Sequence, residues 1–133
     1  MKRILDTTVL VDVLRGDPTV SDRFRNADPS QLLVTTVSVA ELITGAAFAR
    51  DSQRETFHVD LLLRGLRQVP LDERSAKRAG LIKAMLGVAG ATIGVADRFI
   101  AACALEHDAI VVTSNTREFN RVPGLVTEDW RAA

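Results

Sequence analysis

Short apolar runs alternate with longer amphipathic segments along the whole chain. Runs at residues 3–5, 31–36 and 109–113 predict strands, and the consecutive apolar residues of the last two are typical of strands buried on both faces. The run at 68–71 contains a proline, which cannot donate a ladder hydrogen bond, and it therefore predicts an edge strand. With a last extended segment near 125–127, the pattern predicts four to five short strands.

Segments with apolar residues at helical spacing fill the intervals between these strands. Asp17 and Asp72 stand where helices are expected to begin, and Gly16 is expected to end one, because these residue types cap helices. The predicted helices cover residues 7–15, 18–27, 38–49, 52–67, 73–89 and 95–107, with a short turn at 115–119. Strands that alternate with helices predict an α/β fold, in which a parallel sheet carries helices on both faces of a single domain.

Composition and charge exclude few functions. The 17 basic and 17 acidic residues balance, so any attraction to nucleic acid must come from local clusters. Cys103 is the single cysteine and lies in an apolar run, where it cannot form an internal disulfide, which suits a reducing cytoplasm. Asp6 and Asp12 interrupt an amino terminus that otherwise resembles a signal peptide. No stretch approaches the roughly 18 apolar residues of a membrane span, so we expect a cytoplasmic protein with no membrane partner.

Three acidic residues stand where a parallel sheet places its ligands. Asp6 follows the first strand, while Glu41 and Asp97 lie in the opening turns of helices. Carboxylates suit Mg²⁺ or Mn²⁺, whereas two histidines and one cysteine are too few for a zinc cage. Clustered carboxylates also raise one another's pKa values, so a bound cation should stabilise the fold.

Each acid also has a purely structural interpretation. Glu41 could complete a capping box with Ser38, and Asp97 could complement the dipole of its helix. Asp6 is harder to explain in this way, because an unpaired carboxylate directly after a buried strand is costly. Asp12 comes almost two helical turns after Asp6, so we expect it to face elsewhere and to pair with a basic residue.

Four segments in a fixed order carry a more specific signal. They are LDTTVLVDVLRG at 5–16, VSVAELITG at 37–45, IGVADRFIAACAL at 93–105 and VVTSNTREFNRVPGL at 111–125. Together they resemble the VapC-type toxins of the PIN-domain ribonuclease family over nearly the whole chain. The resemblance implies a Mg²⁺-dependent endoribonuclease that a small VapB-type antitoxin inhibits. It also implies that Asp6, Glu41 and Asp97 coordinate the metal and that the hydroxyl of Thr113 lies near the site.

The chain departs from that family at two positions. Thr8 stands where asparagine or serine is common, and Asn115 stands where many members have a fourth aspartate. Asn115 can still orient water or bind metal through its amide oxygen. Glu118, one helical turn later, is the candidate for the missing carboxylate, and a solvated helix residue is the alternative.

The expected reaction is hydrolysis of an RNA phosphodiester by water that one or two Mg²⁺ ions activate, with Mn²⁺ as a possible substitute. Arg98 and Arg117 are the sharper candidates for contacting substrate phosphate, beside a basic stretch within residues 64–83. His58 and His107 lack neighbours that would indicate a catalytic relay.

Two predictions concern partners. The apolar helices at 38–49 and 52–67 exceed what one small sheet needs to be covered, so a homodimer or an antitoxin groove is expected. The alternative function is a catalytically weak or inactive interaction module of the same fold, since the position of the fourth aspartate holds Asn115.

Overall fold

A computed structural model describes residues 1–132, and within that range it contains one parallel sheet. The strands are β1 (Arg3–Leu5), β2 (Leu32–Thr35), β3 (Arg67–Val69), β4 (Ile110–Val112) and β5 (Thr127–Glu128). Their order across the sheet is β3, β2, β1, β4, β5, and every pairing is parallel. The predicted parallel sheet is confirmed, and so is the edge position predicted for the strand near 68–71.

Helices connect the strands throughout. Asp17 and Asp72 cap their helices as predicted, because their carboxylates accept hydrogen bonds from the N–H groups of Val20 at 3.0 Å and Ser75 at 2.9 Å. The helices are α1 (Thr7–Leu14), α2 (Pro18–Asn26), α3 (Thr36–Phe48), α4 (Ser52–Arg64), α5 (Glu73–Val88), α6 (Val95–Glu106) and α7 (Thr116–Phe119), with a 3-10 turn at Pro29–Gln31. None of the helices in residues 1–132 combines the length and apolar character needed to cross a membrane.

The sheet separates two apolar cores. Successive strand residues point to opposite faces, so Ile4 packs in a core with α5 and α6, while Leu5 packs with α1 to α4. Leu33 and Val34 of β2 divide between the same two cores. Burying a side chain of this size stabilises the fold by about 1.5–3 kcal/mol. The prediction of helices on both faces is therefore confirmed.

The predicted boundaries of three elements are wrong by a few residues. α4 ends at Arg64 and β3 spans Arg67–Val69, whereas the helix was expected to reach 67 and the strand to cover 68–71. Pro70 follows β3 because proline has no N–H to donate to β2. The last strand is β5 at Thr127–Glu128, two residues later than expected.

The start of α3 also differs from the prediction, and the difference concerns Glu41. Thr35 ends β2 and caps the helix, because its hydroxyl accepts a hydrogen bond from the N–H of Ser38 at 3.2 Å. α3 therefore begins at Thr36 and not at Ser38. Since Ser38 is not the capping residue, the capping-box interpretation of Glu41 is wrong.

Candidate active site

The adjacent carboxyl ends of β1 and β4 bring Asp6 and Thr113 together. Asp6 caps α1, and its Oδ1 accepts a hydrogen bond from the N–H of Thr7 at 2.8 Å. Its Oδ2 accepts hydrogen bonds from the hydroxyls of Thr113 at 2.7 Å and Thr8 at 3.1 Å. The Asp6 side chain is buried and has only a narrow opening to solvent, with 2% of the residue exposed. These bonds fix the orientation of the carboxylate.

Opposing effects act on the proton affinity of Asp6. Burial raises its pKa most, and the charge of Glu41 adds to this effect. The hydrogen bonds from Thr113, Thr8 and Thr7 lower the pKa, and the net result is a raised value. Asp6 is thus an acid whose ionised form is disfavoured until a positive charge compensates it.

Asp97, Asn115 and Glu118 form a second group at this edge of the sheet. The amide nitrogen of Asn115 donates hydrogen bonds to Oδ2 of Asp97 at 3.1 Å and to Oε2 of Glu118 at 2.7 Å. The other oxygen of Glu118 accepts a hydrogen bond from the N–H of Gly94, which precedes α6. Glu118 is therefore tied to the start of the helix that carries Asp97, and it is not a freely solvated helix residue.

The two carboxylates of this group respond differently to their surroundings. Burial raises the pKa of Asp97 most, and the charges of Asp6 and Glu118 add to it, so that it reaches about 6. The hydrogen bonds from Gly94 and Asn115 instead lower the pKa of Glu118. Of the two neighbouring carboxylates, Glu118 is therefore the more readily ionised, and Asp97 binds its proton more tightly.

Glu41 joins the site through α1. Its Oε1 accepts a hydrogen bond from the hydroxyl of Thr7 at 2.6 Å, and the hydroxyls of Thr7 and Ser38 lie 2.9 Å apart. This contact links the first residue of α1 to the second turn of α3, and it directs Glu41 toward the end of β1 where Asp6 lies.

Asp6, Glu41 and Asp97 line the same open cavity of about 320 Å³. Its wall on one side is a face of α1, where Thr7, Val11 and Arg15 recur at four-residue intervals. The predicted trio is thus brought to one place by three elements that are distant in sequence. Asn115 binds both Asp97 and Glu118, but neither Asn115 nor Glu118 lines this cavity.

Asp12 also lines this cavity, together with two arginines that were not predicted. Asp12 lines the cavity with Asp6, so the expectation that it faces elsewhere is wrong. It does pair with a basic residue, as predicted, and the partner is Arg131 at the far end of the chain, with Oδ2 to Nε at 2.8 Å and Oδ1 to Nη2 at 2.9 Å. Arg131 and Arg15 both line the cavity. Arg15 directly follows α1 and lies one turn beyond Val11, so it was a usable sequence signal, whereas nothing local pointed to Arg131.

The arginines predicted to contact phosphate lie elsewhere. Arg98 lines a separate cavity with Lys83, and Arg117 is exposed on α7. Three members of the basic stretch are engaged in ion pairs, because Arg74 and Arg78 bind Glu106 and Lys77 binds Glu73. Since Glu106 ends α6 and Asp97 lies in its first turn, those two arginines are distant from the acidic cavity.

The donor chemistry of the cavity suits a hard cation. Its lining offers carboxylates and hydroxyls and no histidine or cysteine, which is the ligand set that Mg²⁺ and Mn²⁺ prefer. Within residues 1–132, no three histidine, cysteine, aspartate or glutamate side chains converge into a ready-made metal cluster. That arrangement is compatible with Mg²⁺, which commonly binds one or two carboxylates and keeps several waters. The cavity could thus hold the ion without a closed protein cage.

Fold and site together define an α/β protein with a carboxylate cavity at the carboxyl ends of a parallel sheet. The family model of the PIN domain matches residues 3–125. The chain belongs to the PIN domain family, as its sequence motifs predicted.

Individual relatives narrow this class further. The chain is 34% identical over 131 residues to the tRNA(fMet)-specific endonuclease VapC of Shigella flexneri, covering 98% of both proteins. It is also 34% identical to Ribonuclease VapC2 of Haemophilus influenzae (strain Rd), again over 98% of both. The crystal structure of DNA-bound VapBC from Salmonella typhimurium matches with a TM-score of 0.92 and 32% identity, covering 98% of each chain.

Proposed function

We propose that this chain is a Mg²⁺-dependent endoribonuclease and the toxin of a VapBC-type toxin–antitoxin pair, acting in the cytoplasm. The observation that carries the proposal is the convergence of Asp6, Glu41 and Asp97 on one cavity of a PIN domain. The full-length similarity to proteins named VapC ribonucleases supports the same function.

In this proposal the three acids hold Mg²⁺, with Mn²⁺ as a substitute. When bound, the ion would lower the pKa of a water molecule and place positive charge close to the phosphate. Thr8 and Thr113 keep Asp6 oriented through hydrogen bonds, and Thr7 does the same for Glu41. Because every carboxylate is held by a donor from another element, the site is preorganised before substrate arrives.

Asn115 and Glu118 have a supporting role in this proposal. The Asn115 amide donates to both Asp97 and Glu118 and so links the two acidic side chains. Glu118 then takes the place of the fourth aspartate of the family, one helical turn further along the chain. Hydrolysis at such a site leaves a 5′-phosphate and a 3′-hydroxyl.

RNA is the proposed substrate, and initiator tRNA is the first RNA to test. The relatives from Shigella flexneri and Salmonella typhimurium are both named tRNA(fMet)-specific endonucleases. The chain has no tyrosine and a single tryptophan, and Trp130 is buried. Neither tyrosine nor tryptophan therefore provides an exposed ring on which unpaired bases could stack. This favours recognition of the shape of the RNA and of the positions of its phosphates.

A cavity with a partly apolar lining, beside the acidic one, supports the proposed antitoxin partner. This neighbouring cavity of about 470 Å³ shares Thr7, Val11, Arg15 and Glu41 with the acidic cavity. It then continues between α1, α3 and α4, where Leu14, Leu42, Ala46 and Val59 line it. An apolar side chain of an antitoxin segment fits this chemistry, and the same segment would block access to the acids.

A homodimer is also proposed, on the exposed apolar surface of the α3 and α4 helices. Phe48 is 86% exposed, Phe57 59% and Leu61 52%. Monomeric proteins rarely expose large apolar patches of this kind. Sedimentation of the purified chain tests this: a dimer that Phe57→Glu dissociates supports the proposal, and a monomer at all concentrations contradicts it.

The experiment that tests the proposed function is cleavage of purified initiator tRNA and of a labelled RNA pool. We expect cutting with Mg²⁺ or Mn²⁺, none with EDTA, and none by Asp6→Asn. Asp60→Asn, which removes an exposed acid on α4, is the matched control and should cut like the natural chain. If the chain folds, binds a VapB-type antitoxin and cuts no RNA under any metal, the inactive interaction module becomes the better description.

A further inference from the structure

The acidic cavity must admit a polyanion, and its own charge opposes this. Asp6, Glu41, Asp97 and Asp12 all line it. Within residues 1–132, the only cations that line it are Arg15 and Arg131. A phosphodiester chain that approaches the acids is repelled unless positive groups near the opening compensate, and a bound metal offsets only the charge closest to it.

Asp12 holds Arg131 in a defined orientation. The contact uses both carboxylate oxygens, at 2.8 Å to Nε and 2.9 Å to Nη2, which is the two-bond geometry that fixes the plane of a guanidinium. These bonds use Nε–H and one N–H of Nη2, and they leave both N–H groups of Nη1 and the second N–H of Nη2 as a two-bond edge for another acceptor. The Arg131 side chain is 54% exposed, whereas that of Asp12 is 11% exposed. The carboxylate is thus an anchor within α1, and the guanidinium faces the cavity.

A purely structural pair does not explain this placement well. Burying a carboxylate on the face of α1 that lines the cavity costs desolvation energy, and an apolar residue would pack there at lower cost. Position 12 lies six residues beyond Asp6, which is about 9 Å along the helix axis. A group bound there sits beside the acids without competing with them for the metal.

We propose that Arg131, held by Asp12 and assisted by Arg15, binds the RNA phosphate next to the scissile one. This inference rests on the proposed ribonuclease function. Arg131 is a substrate-binding residue in this scheme, and Asp12 is a positioning residue that acts through it. The planar fork of an arginine binds phosphate with two hydrogen bonds, which a lysine cannot reproduce. The pair would set the direction in which the strand crosses the cavity.

A second ion pair in the chain supplies a matched control. Arg3 binds Glu128 with the same two-bond geometry, Nε to Oε1 at 3.0 Å and Nη2 to Oε2 at 2.9 Å. It lines a different cavity, which contains none of the proposed catalytic acids. Replacing both members of either pair by neutral amide residues, as Asp12→Asn with Arg131→Gln or Arg3→Gln with Glu128→Gln, leaves the net charge of the protein unchanged.

Two measurements on these double variants test the inference. For cleavage of tRNA in Mg²⁺, the Asp12 and Arg131 double variant should raise KM about tenfold, the factor for one charge-assisted hydrogen bond, with kcat changed less than about twofold. Binding of uncut RNA is measured with each pair changed separately in an Asp6→Asn background. The Kd is determined at several salt concentrations. Loss of one phosphate contact should lower the slope of log Kd against log salt by about 0.7–0.9. The Arg3 and Glu128 control should change neither quantity.

The outcomes separate this inference from the proposed function. If the natural chain cuts RNA and the Asp12 and Arg131 double variant keeps its KM and salt slope, the phosphate-binding role is wrong and the nuclease stands. If neither the natural chain nor any variant cuts RNA, the proposed function is wrong. The change in Kd for uncut RNA then decides whether Arg131 binds phosphate. Arg131→Lys keeps an ion partner for Asp12, and so protects the fold, yet it should still raise KM because the fork is lost. A KM equal to that of the natural chain would also overturn the role.

Discussion

Replacing Asp97 by asparagine should stabilise the metal-free protein while it abolishes cleavage. In the folded chain the pKa of Asp97 is about 6, against an ordinary value of 3.8, a rise of roughly two units. Each unit corresponds to about 1.4 kcal/mol, which would give about 3 kcal/mol for a fully buried group. Asp97 is only half-buried, so solvent screening reduces the expected gain to about 1–2 kcal/mol. The Asn115 amide can still donate to an asparagine oxygen at this position.

The gain should depend on pH in a defined direction. The folded state binds the proton of Asp97 more tightly than the unfolded chain does, because its pKa is raised. The cost of ionising the carboxylate is therefore fully present above about pH 6 and disappears as pH falls toward about 4. The stability of the natural chain relative to Asp97→Asn thus increases on acidification. Glu128 has a lowered pKa and acts in the opposite sense, but it does so in both proteins and cancels in the difference.

Urea titrations and thermal melts in EDTA measure this difference directly. At about pH 7.5 the Asp97→Asn variant should melt about 3–8 °C above the natural chain, and the gap should close near about pH 4. Asp60→Asn, an exposed acid on α4, should show neither effect. A variant that is no more stable than the natural chain in EDTA, or a gap that is the same at both pH values, would show that ionised Asp97 does not destabilise the fold.

Three further predictions follow from the same geometry. Mg²⁺ at about one hundred times its Kd should stabilise the natural chain by about 2.7 kcal/mol in a thermal melt and should do much less for Asp6→Asn; equal stabilisation of both would mean that Asp6 is not a ligand. Thr7→Val should lower cleavage about tenfold, because Glu41 loses its hydroxyl donor, and Thr7→Ser should restore it; an active valine variant would contradict this role. Asn115→Ala should raise the apparent pKa of Asp97, measured by NMR titration, because the donor to its carboxylate is lost; no change would show that this hydrogen bond is not formed.

The features that could be predicted from the sequence are those that local chemistry determines. Apolar runs give strands, capping residues such as Asp17 and Asp72 begin helices, and alternation of the two gives the parallel sheet. Asp6 was predictable because a carboxylate directly after a buried strand needs a partner. Thr113 lies beside Asp6 because parallel strands end at the same edge of the sheet. In the sequence, however, the family motif and not residue spacing identified Thr113.

The rest depends on contacts between distant parts of the chain. The hydrogen bonds from Arg131 to Asp12 join residues 119 positions apart, and no spacing rule relates them. The end of β2 was placed one residue too far because the hydroxyl of Thr35 caps α3, a role that depends on where the strand stops. The structural role of Glu118 was likewise open, since the N–H of Gly94 that it binds belongs to a different loop. Sequence reasoning therefore located the acids but not the network that orients them.

Single-turnover cleavage of purified initiator tRNA, with the product ends identified, tests the proposed function most directly. We expect the cleavage rate to fall to background in EDTA and to return when Mg²⁺ is restored. Asp97→Asn should not cut, and the natural chain should leave a 5′-phosphate and a 3′-hydroxyl at the cut. Cleavage that continues in EDTA, or that leaves a 2′,3′-cyclic phosphate, would contradict hydrolysis by water at a metal held by Asp6, Glu41 and Asp97.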